Sequence, residues 1–336
     1  MKKNKCILVV GLGSIGSRHA RLLAARDDLD VAWCEVHEDV VELARQTIGE
    51  PARLFRSFEE ALASGPDYVL IATPQNLHCA QTVAALEAGI PVLCEKPLSD
   101  NLADAERMVA AVHATRGICT VGFQSHFSRG HMRLREVVAS GTLGPIRHYH
   151  SRVGTYITLV NSKSRHQSRC EGALIQDYSH QPDLAHWILG QMPETVFAQG
   201  LTAEAMPLRA TPNLLMVQFG YATNLLGSLH LNYLQMPQRH HYELVGEEGW
   251  VFFDADTGEM RLGDRESRLI ATESYPLEAD GIYIREHDAF LAAAAGERAP
   301  ESSVDDALLA VKVADATMAS WSSGKMVALD GAVSLA

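Results

Sequence analysis

From the N-terminus to residue 123, short apolar runs alternate with longer stretches whose apolar positions recur every three or four residues. The runs fall at 6–10, 29–35, 68–73, 91–94 and 118–123. The helical stretches between them include 14–26, 76–88 and 102–113, and Gly89 stands where a helix should stop. Strand and helix in alternation predict a parallel sheet with crossover helices, so residues 1–123 are expected to form a doubly wound α/β Rossmann domain.

After "GTLGP" (141–145) the pattern changes. One helical stretch near 173–189 is followed by "TVFAQGL", "NLLMVQFGYA", "NLLGSLHLNYL", "RHHYELVG" and "GWVFFD", strand-like segments joined by short turns. Helices return at 285–295 and 304–322. Residues 124–336 are therefore expected to be an α+β domain with a large open, mostly antiparallel sheet, its C-terminal helices partly packing back on the first domain. A sheet covered on one face leaves the other in need of a partner, which predicts a homo-oligomer, dimer or tetramer, built through this sheet.

Composition narrows the function. The chain has 336 residues, 47% hydrophobic and 21% charged, enough for two cores and unlike a disordered chain. A net charge of -12 opposes both a nucleic-acid backbone and an anionic membrane, leaving a small molecule as the expected ligand. The basic start "MKKNK" precedes an apolar run that stops at Gly11, too short for a secretory signal, and no window approaches the ~18 apolar residues of a membrane helix. Six cysteines lack CxxC spacing, and Cys6, Cys34, Cys94 and Cys119 fall in predicted strands. They are expected to be reduced thiols of a cytoplasmic protein and to bind no metal.

"VVGLGSIGSRHA" places Gly11, Gly13 and Gly16 in GxGxxG spacing between a strand and a helix, with Ser14 and Ile15 in the intervening positions. Such glycines allow a tight turn, close approach to a pyrophosphate and close packing of helix on strand. The next strand ends in Glu35, nineteen residues after Gly16, where a carboxylate can accept from the adenosine ribose hydroxyls. Its charge repels a 2′-phosphate, and Val36 and His37 offer no arginine, so NAD is expected over NADP.

Ligands of open parallel sheets sit beyond the carboxyl ends of strands, where "ATPQNLH" (72–78) and "CEKP" (94–97) fall. Taken alone, Lys96 beside Glu95 also fits a solvated ion pair. Together, "GLGSIGSRH", "ATPQNLH", "EKPLS" and a later Asp/His helix resemble the Gfo/Idh/MocA family, the relatives of glucose-fructose oxidoreductase and inositol dehydrogenase, over nearly the whole chain. The resemblance implies that Lys96 touches the nicotinamide ribose and the reacting hydroxyl, and that Ala72, Thr73, Pro74, Asn76, His78 and Glu95 line the cofactor. An ammonium there can stabilise charge developing on the substrate oxygen.

Alcohol oxidation also needs an acceptor for the hydroxyl proton, a role suited to histidine. By the same resemblance, "EGALIQDYSHQPDLAHWILG" (171–190) matches the family's second-domain segment, with His180 and Asp183 as His-x-x-Asp. In many relatives the first Asp precedes the His by four residues; here Asp177 precedes His180 by three and Gln176 takes the four-back place. Either offset shares a helix face, so Asp177 is expected to orient or assist His180. Pro182 requires the helix to start near Ser179 or kink there, and a start would put His180 at the positive end of a helix dipole. Arg165, in the basic loop 157–170, is the first choice for a charged substrate group, with Gln124 and Tyr156 as further substrate contacts.

These expectations combine into an NAD-dependent dehydrogenase of a secondary alcohol on a sugar, cyclitol or sugar acid. Two alternatives use the same fold: an enzyme with tightly held NAD that oxidises a sugar transiently to cleave a glycosidic bond, and a non-catalytic dinucleotide-binding sensor.

Overall fold

The computed structural model describes residues 4–156, 158, 170–204, 210–266 and 268–329. The chain divides into two compact units, one formed by the chain through Phe127 with Ala279–Val311, the other by Ser128–Glu278 with the chain from Lys312.

The first unit contains β1 (Lys5–Val10), α1 (Ser14–Ala24), β2 (Leu29–Cys34), α2 (Glu38–Ile48), β3 (Arg53–Phe55), α3 (Phe58–Ala63), β4 (Tyr68–Ile71), α4 (His78–Glu87), β5 (Val92–Glu95), α5 (Leu102–Thr115) and β6 (Cys119–Gly122). Its six strands pair in parallel in the order β3-β2-β1-β4-β5-β6. Strands β4, β5 and β6 are buried along their whole length, which is why they read as unbroken apolar runs.

The second unit begins with α6 (Arg129–Ala139), β7 (Ile146–Gly154), α7 (Ala173–Asp177) and α8 (His180–Leu189). There follow β8 (Thr195–Leu201), β9 (Leu214–Gly220), β10 (Leu226–Asn232), β11 (Arg239–Gly246), β12 (Gly249–Asp254), β13 (Glu259–Asp264) and β14 (Leu269–Ser274). The chain ends with α9 (Gly281–Ala294), α10 (Val304–Ser323) and β15 (Val327–Ala328). The second sheet has nine strands in the order β14-β13-β12-β11-β7-β10-β9-β8-β15. It is mixed: β7 runs parallel to β10, while the other pairs are antiparallel.

Side-chain alternation explains both cores. In β1, Ile7 and Val9 pack on one face with Ala20 and Leu23 of α1 and Phe290 of α9. Leu8 and Val10 pack on the other with Ala85 of α4, Met108 of α5 and Val304, Ala307 and Ala310 of α10. Among the described residues, helices cover one face of the second sheet, where Tyr149, Val153, Leu229 and Leu244 meet Leu134 and Val137 of α6, Leu174 of α7, Leu184 and Ile188 of α8 and Val313 of α10.

The stretch 173–189, expected as one helix, is two. Tyr178 leaves helical geometry (φ -100°, ψ 31°), and α8 starts afresh at His180. Pro182 then lies in the first turn, where a missing N–H leaves no backbone bond unmade. None of the six cysteines is in a disulfide. Among the described residues, no helix is long and apolar enough to cross a membrane.

Candidate active site

In the first unit, the strand order reverses direction between β1 and β4, and the motif residues lie at the carboxyl ends of β1, β4 and β5, where a doubly wound sheet binds ligands. Gly11 turns the chain with φ 85°, in the left-handed region that favours glycine. A Cβ on Gly11 would lie 2.8 Å from the Ala72 carbonyl oxygen, and one on Gly16 would lie 1.9 Å from that of Gly11. These approaches draw β1, β4 and α1 together. Gly13 and Ser14 are exposed at the start of α1, which has no side-chain cap and no acid in its first turn. The N–H groups of Ser14, Ile15 and Gly16 have no intrahelical acceptor there, so they fit a pyrophosphate.

Glu35 is buried, its Oε2 accepting from Leu12 N–H (2.8 Å) and its Oε1 from His37 N–H (3.0 Å). It ties the glycine loop to the end of β2, and a carboxylate so engaged keeps lone pairs for ribose hydroxyls. Its main-chain carbonyl accepts from Arg56 Nη1 at 2.8 Å, and Arg56 also pairs with Glu38. This cation reaches the end of β2 from beyond β3, a neighbour that inspection of Val36 and His37 alone does not reveal.

At the end of β4, Thr73 Oγ1 donates to Gln81 Oε1 (2.7 Å), while Pro74 and Asn76 are exposed. His78, expected to line the cofactor, is 1% exposed and lies beneath the loops. Its Nε2 is 2.9 Å from the Thr73 carbonyl oxygen and its Nδ1 3.0 Å from that of Pro97, so the ring lies between the turns after β4 and β5 and, when neutral, donates to one of these carbonyls. Burial pushes its pKa down, against the pull of the carbonyls and of Glu95.

The Lys96–Pro97 bond is cis, and Lys96 is half-buried. Glu95, another expected lining residue, is 4% exposed and faces inward. Its Oε2 accepts from the Lys96 backbone N–H (3.0 Å), and its Oε1 lies 2.8 Å from His19 Nε2. Gln124 opens a 3₁₀ turn, Gln124–Phe127, directly after β6.

In the second unit, His180 is the first residue of α8 and half-buried. The adjacent Gln181 anchors it: Ser151 of β7 donates to Gln181 Oε1 (2.6 Å), and Gln181 Nε2 donates to the Tyr242 hydroxyl of β11 (3.2 Å). His240 Nε2 is 2.6 Å from the same hydroxyl. Asp177, on α7 and not on the helix of His180, accepts from the hydroxyl of Tyr233, a residue fully buried beyond the end of β10. Burial, with the charge of Asp177, pushes the Tyr233 phenol well up, so it stays a donor. Tyr156 follows β7, its N–H bonded to the Gln235 carbonyl (3.1 Å), and Arg165 lies outside the described residues. Sequence reasoning passed over Gln181 and Tyr233; the position of Gln181 in the first turn beside His180 was the only local signal for either.

Comparison with known proteins agrees with this architecture. A family model described as an oxidoreductase family with an NAD-binding Rossmann fold matches residues 5–123, and one for the GFO/IDH/MocA C-terminal domain matches residues 131–252. Myo-inositol 2-dehydrogenase of Thermotoga maritima is 31% identical over 57% of this chain and 57% of its own length. Inositol 2-dehydrogenase of Rubrobacter xylanophilus is 29% identical over 94% of this chain and 90% of its own. The crystal structure of scyllo-inositol dehydrogenase from Lactobacillus casei, with bound NAD(H) and scyllo-inositol, shares the fold at a TM-score of 0.82, 20% identity and coverage of 97% and 99% of the two chains.

Proposed function

This chain belongs to the Gfo/Idh/MocA family of oxidoreductases, and on that premise we propose that it is an NAD-dependent dehydrogenase acting on a secondary alcohol of a cyclitol, sugar or sugar acid. The observation that carries the reading is the Lys96 turn at the carboxyl end of β5, held by Glu95 in the same unit as the uncapped glycine-rich start of α1. The inositol dehydrogenases among its relatives support the substrate class.

NAD supplies the hydride acceptor. The N–H groups that open α1 hold its pyrophosphate and Glu35 its adenosine ribose, the acid favouring NAD over NADP. The Lys96 ammonium polarises the substrate oxygen and stabilises negative charge as it develops. His180, at the positive end of α8, takes the hydroxyl proton as a neutral imidazole. Asp177, held by Tyr233, assists it, and Gln124 and Tyr156 contact the substrate.

On the second sheet, His148, His150, His230 and His241 share the face opposite the core with Met216 and Leu226. That face supports assembly of copies of this chain into a dimer or tetramer, which sedimentation would read directly.

The test of function is net NADH formation from a panel of cyclitols, sugars and sugar acids with NAD or NADP supplied. The proposal expects net NADH with at least one of them. Glycoside cleavage without net NADH, or nucleotide binding without turnover across the panel, overturns it.

A further inference from the structure

Beneath the Lys96 turn lies a fully interior group of acids and imidazoles that the chemistry above does not use. His19 (α1), Glu95 (β5) and Glu286 (α9) are 0%, 4% and 0% exposed, and one ligand-type atom from each lies within 4.8 Å of the others. His287, one residue on, brings its Nε2 to 2.7 Å from His19 Nδ1. With the Glu95 carboxylate taken as the acceptor, the donors can be ordered along the chain of bonds. His287 Nε2–H donates to His19 Nδ1, and His19 Nε2–H donates to Glu95 Oε1, whose other oxygen accepts from Lys96 N–H. Glu286 is the exception, for neither carboxyl oxygen has a hydrogen-bond partner although the residue is sealed from solvent.

Two carboxylates this close in a dry interior cannot both be ionised. We propose that Glu286 and Glu95 hold one proton between them, making Glu286 a buried neutral acid and a positioning residue that keeps the Glu95 carboxylate fixed on the Lys96 backbone. The proposal rests on the catalytic reading of Lys96, which it deepens. Burial, reinforced by the charge of Glu95, pushes the Glu286 carboxyl well above the usual carboxylate range. Losing that proton would set a second negative charge against Glu95, drive its carboxylate away from Lys96 N–H and loosen the turn that carries the ammonium.

Other titratable groups reach the pair: beside Glu95 stand Lys96 and, from α4, the buried His78, on which the charge of Glu95 acts. From α1 come His19, Arg18, stacked over the Tyr283 ring at 5.1 Å, and Arg26, which bonds to Asp28 and Asp288 and acts on His287. From α9 come Tyr283, His287 and Arg285, the last donating to the Phe127 carbonyl. The 3₁₀ turn packed on α9 brings the buried His126. Burial holds His287 well below the usual histidine range, so it remains neutral and does not supply the missing proton.

The test uses the purified full-length protein in two arms. Infrared spectroscopy at neutral pH should show a protonated-carboxyl C=O band in the wild type that is lost in Glu286→Gln, an isosteric variant that keeps a neutral hydrogen-bonding group. In the NADH assay, the wild type should show an alkaline fall in kcat, and Glu286→Gln should retain turnover at neutral pH and lack that fall. Absence of the band in the wild type, its survival in Glu286→Gln, or one equivalent of divalent metal co-purifying with the wild type overturns the proposal. So does an unchanged alkaline limb in the variant. If no substrate yields NADH, the catalytic reading fails, while the infrared arm still decides where the proton sits.

Discussion

Replacing Lys96 with methionine keeps the stem and removes the charge, so it isolates the role given to the ammonium. Loss of one such charge-stabilising donor is expected to lower kcat by about 10²–10³ with nucleotide binding little changed, read by initial rates and an equilibrium NAD titration. Tyr233→Phe deletes the phenol that bonds Asp177 and leaves that carboxylate short of a donor; urea unfolding should register a loss of about 1–3 kcal/mol. The tight turn at Gly11 and the close packing at Gly16 depend on local spacing and were legible in the sequence. Roles that depend on a distant partner were not. The Glu95 carboxylate lies against His19 and the His78 ring against the Thr73 and Pro97 carbonyls, contacts with residues distant in sequence. Nothing in the hydrophobic pattern pairs residue 95 with residue 286.

At the scale of elements, the glycine-rich turn separates packing from binding. Gly16→Ala would drive a methyl group to 1.9 Å from the Gly11 carbonyl oxygen, so it should lower the melting temperature and abolish NAD binding. A Cβ on Gly13 meets nothing within 4 Å, so Gly13→Ala should fold normally and lose only nucleotide affinity, since the crowding would fall on the bound pyrophosphate. Calorimetry and NAD titration on the two variants check the contrast. The longer strands of the first sheet were legible because burial on both faces makes them unbroken apolar runs, whereas β3, with three residues, is too short to show a period. The division of 173–189 into α7 and α8 was half legible: Pro182 demanded a helix start or a kink, and the start prevailed because a first turn needs no proline N–H.

Across the whole molecule, the histidines of the second sheet make stability depend on acid. Burial, with neighbouring histidines, pushes His150 down to about 4, and burial pushes His240 down to about 4, against an ordinary value of 6.5. Because these folded-state values are lowered, the unfolded chain binds more protons below 6.5. Their contribution is fully present above about 6.5 and is lost as pH falls from there toward 4, by on the order of 2 kcal/mol after allowance for partial exposure. Urea midpoints on either side of that window should show the loss, and His150→Gln should reduce it. Strand-like segments joined by short turns, such as "GWVFFD", made an open second sheet legible, but the parallel β7–β10 pairing joins strands far apart in sequence and has no local sign. Ala279–Val311 groups with the first unit although strands of the second precede it in sequence.

The most direct test compares NADH production by the wild type, Lys96→Met and His180→Asn over the cyclitol and sugar panel at saturating NAD. The account predicts net NADH from at least one substrate with the wild type and a fall of at least about a hundredfold in each variant, with NAD still bound. Turnover at wild-type rates in either variant, or no NADH from any member of the panel, would contradict it.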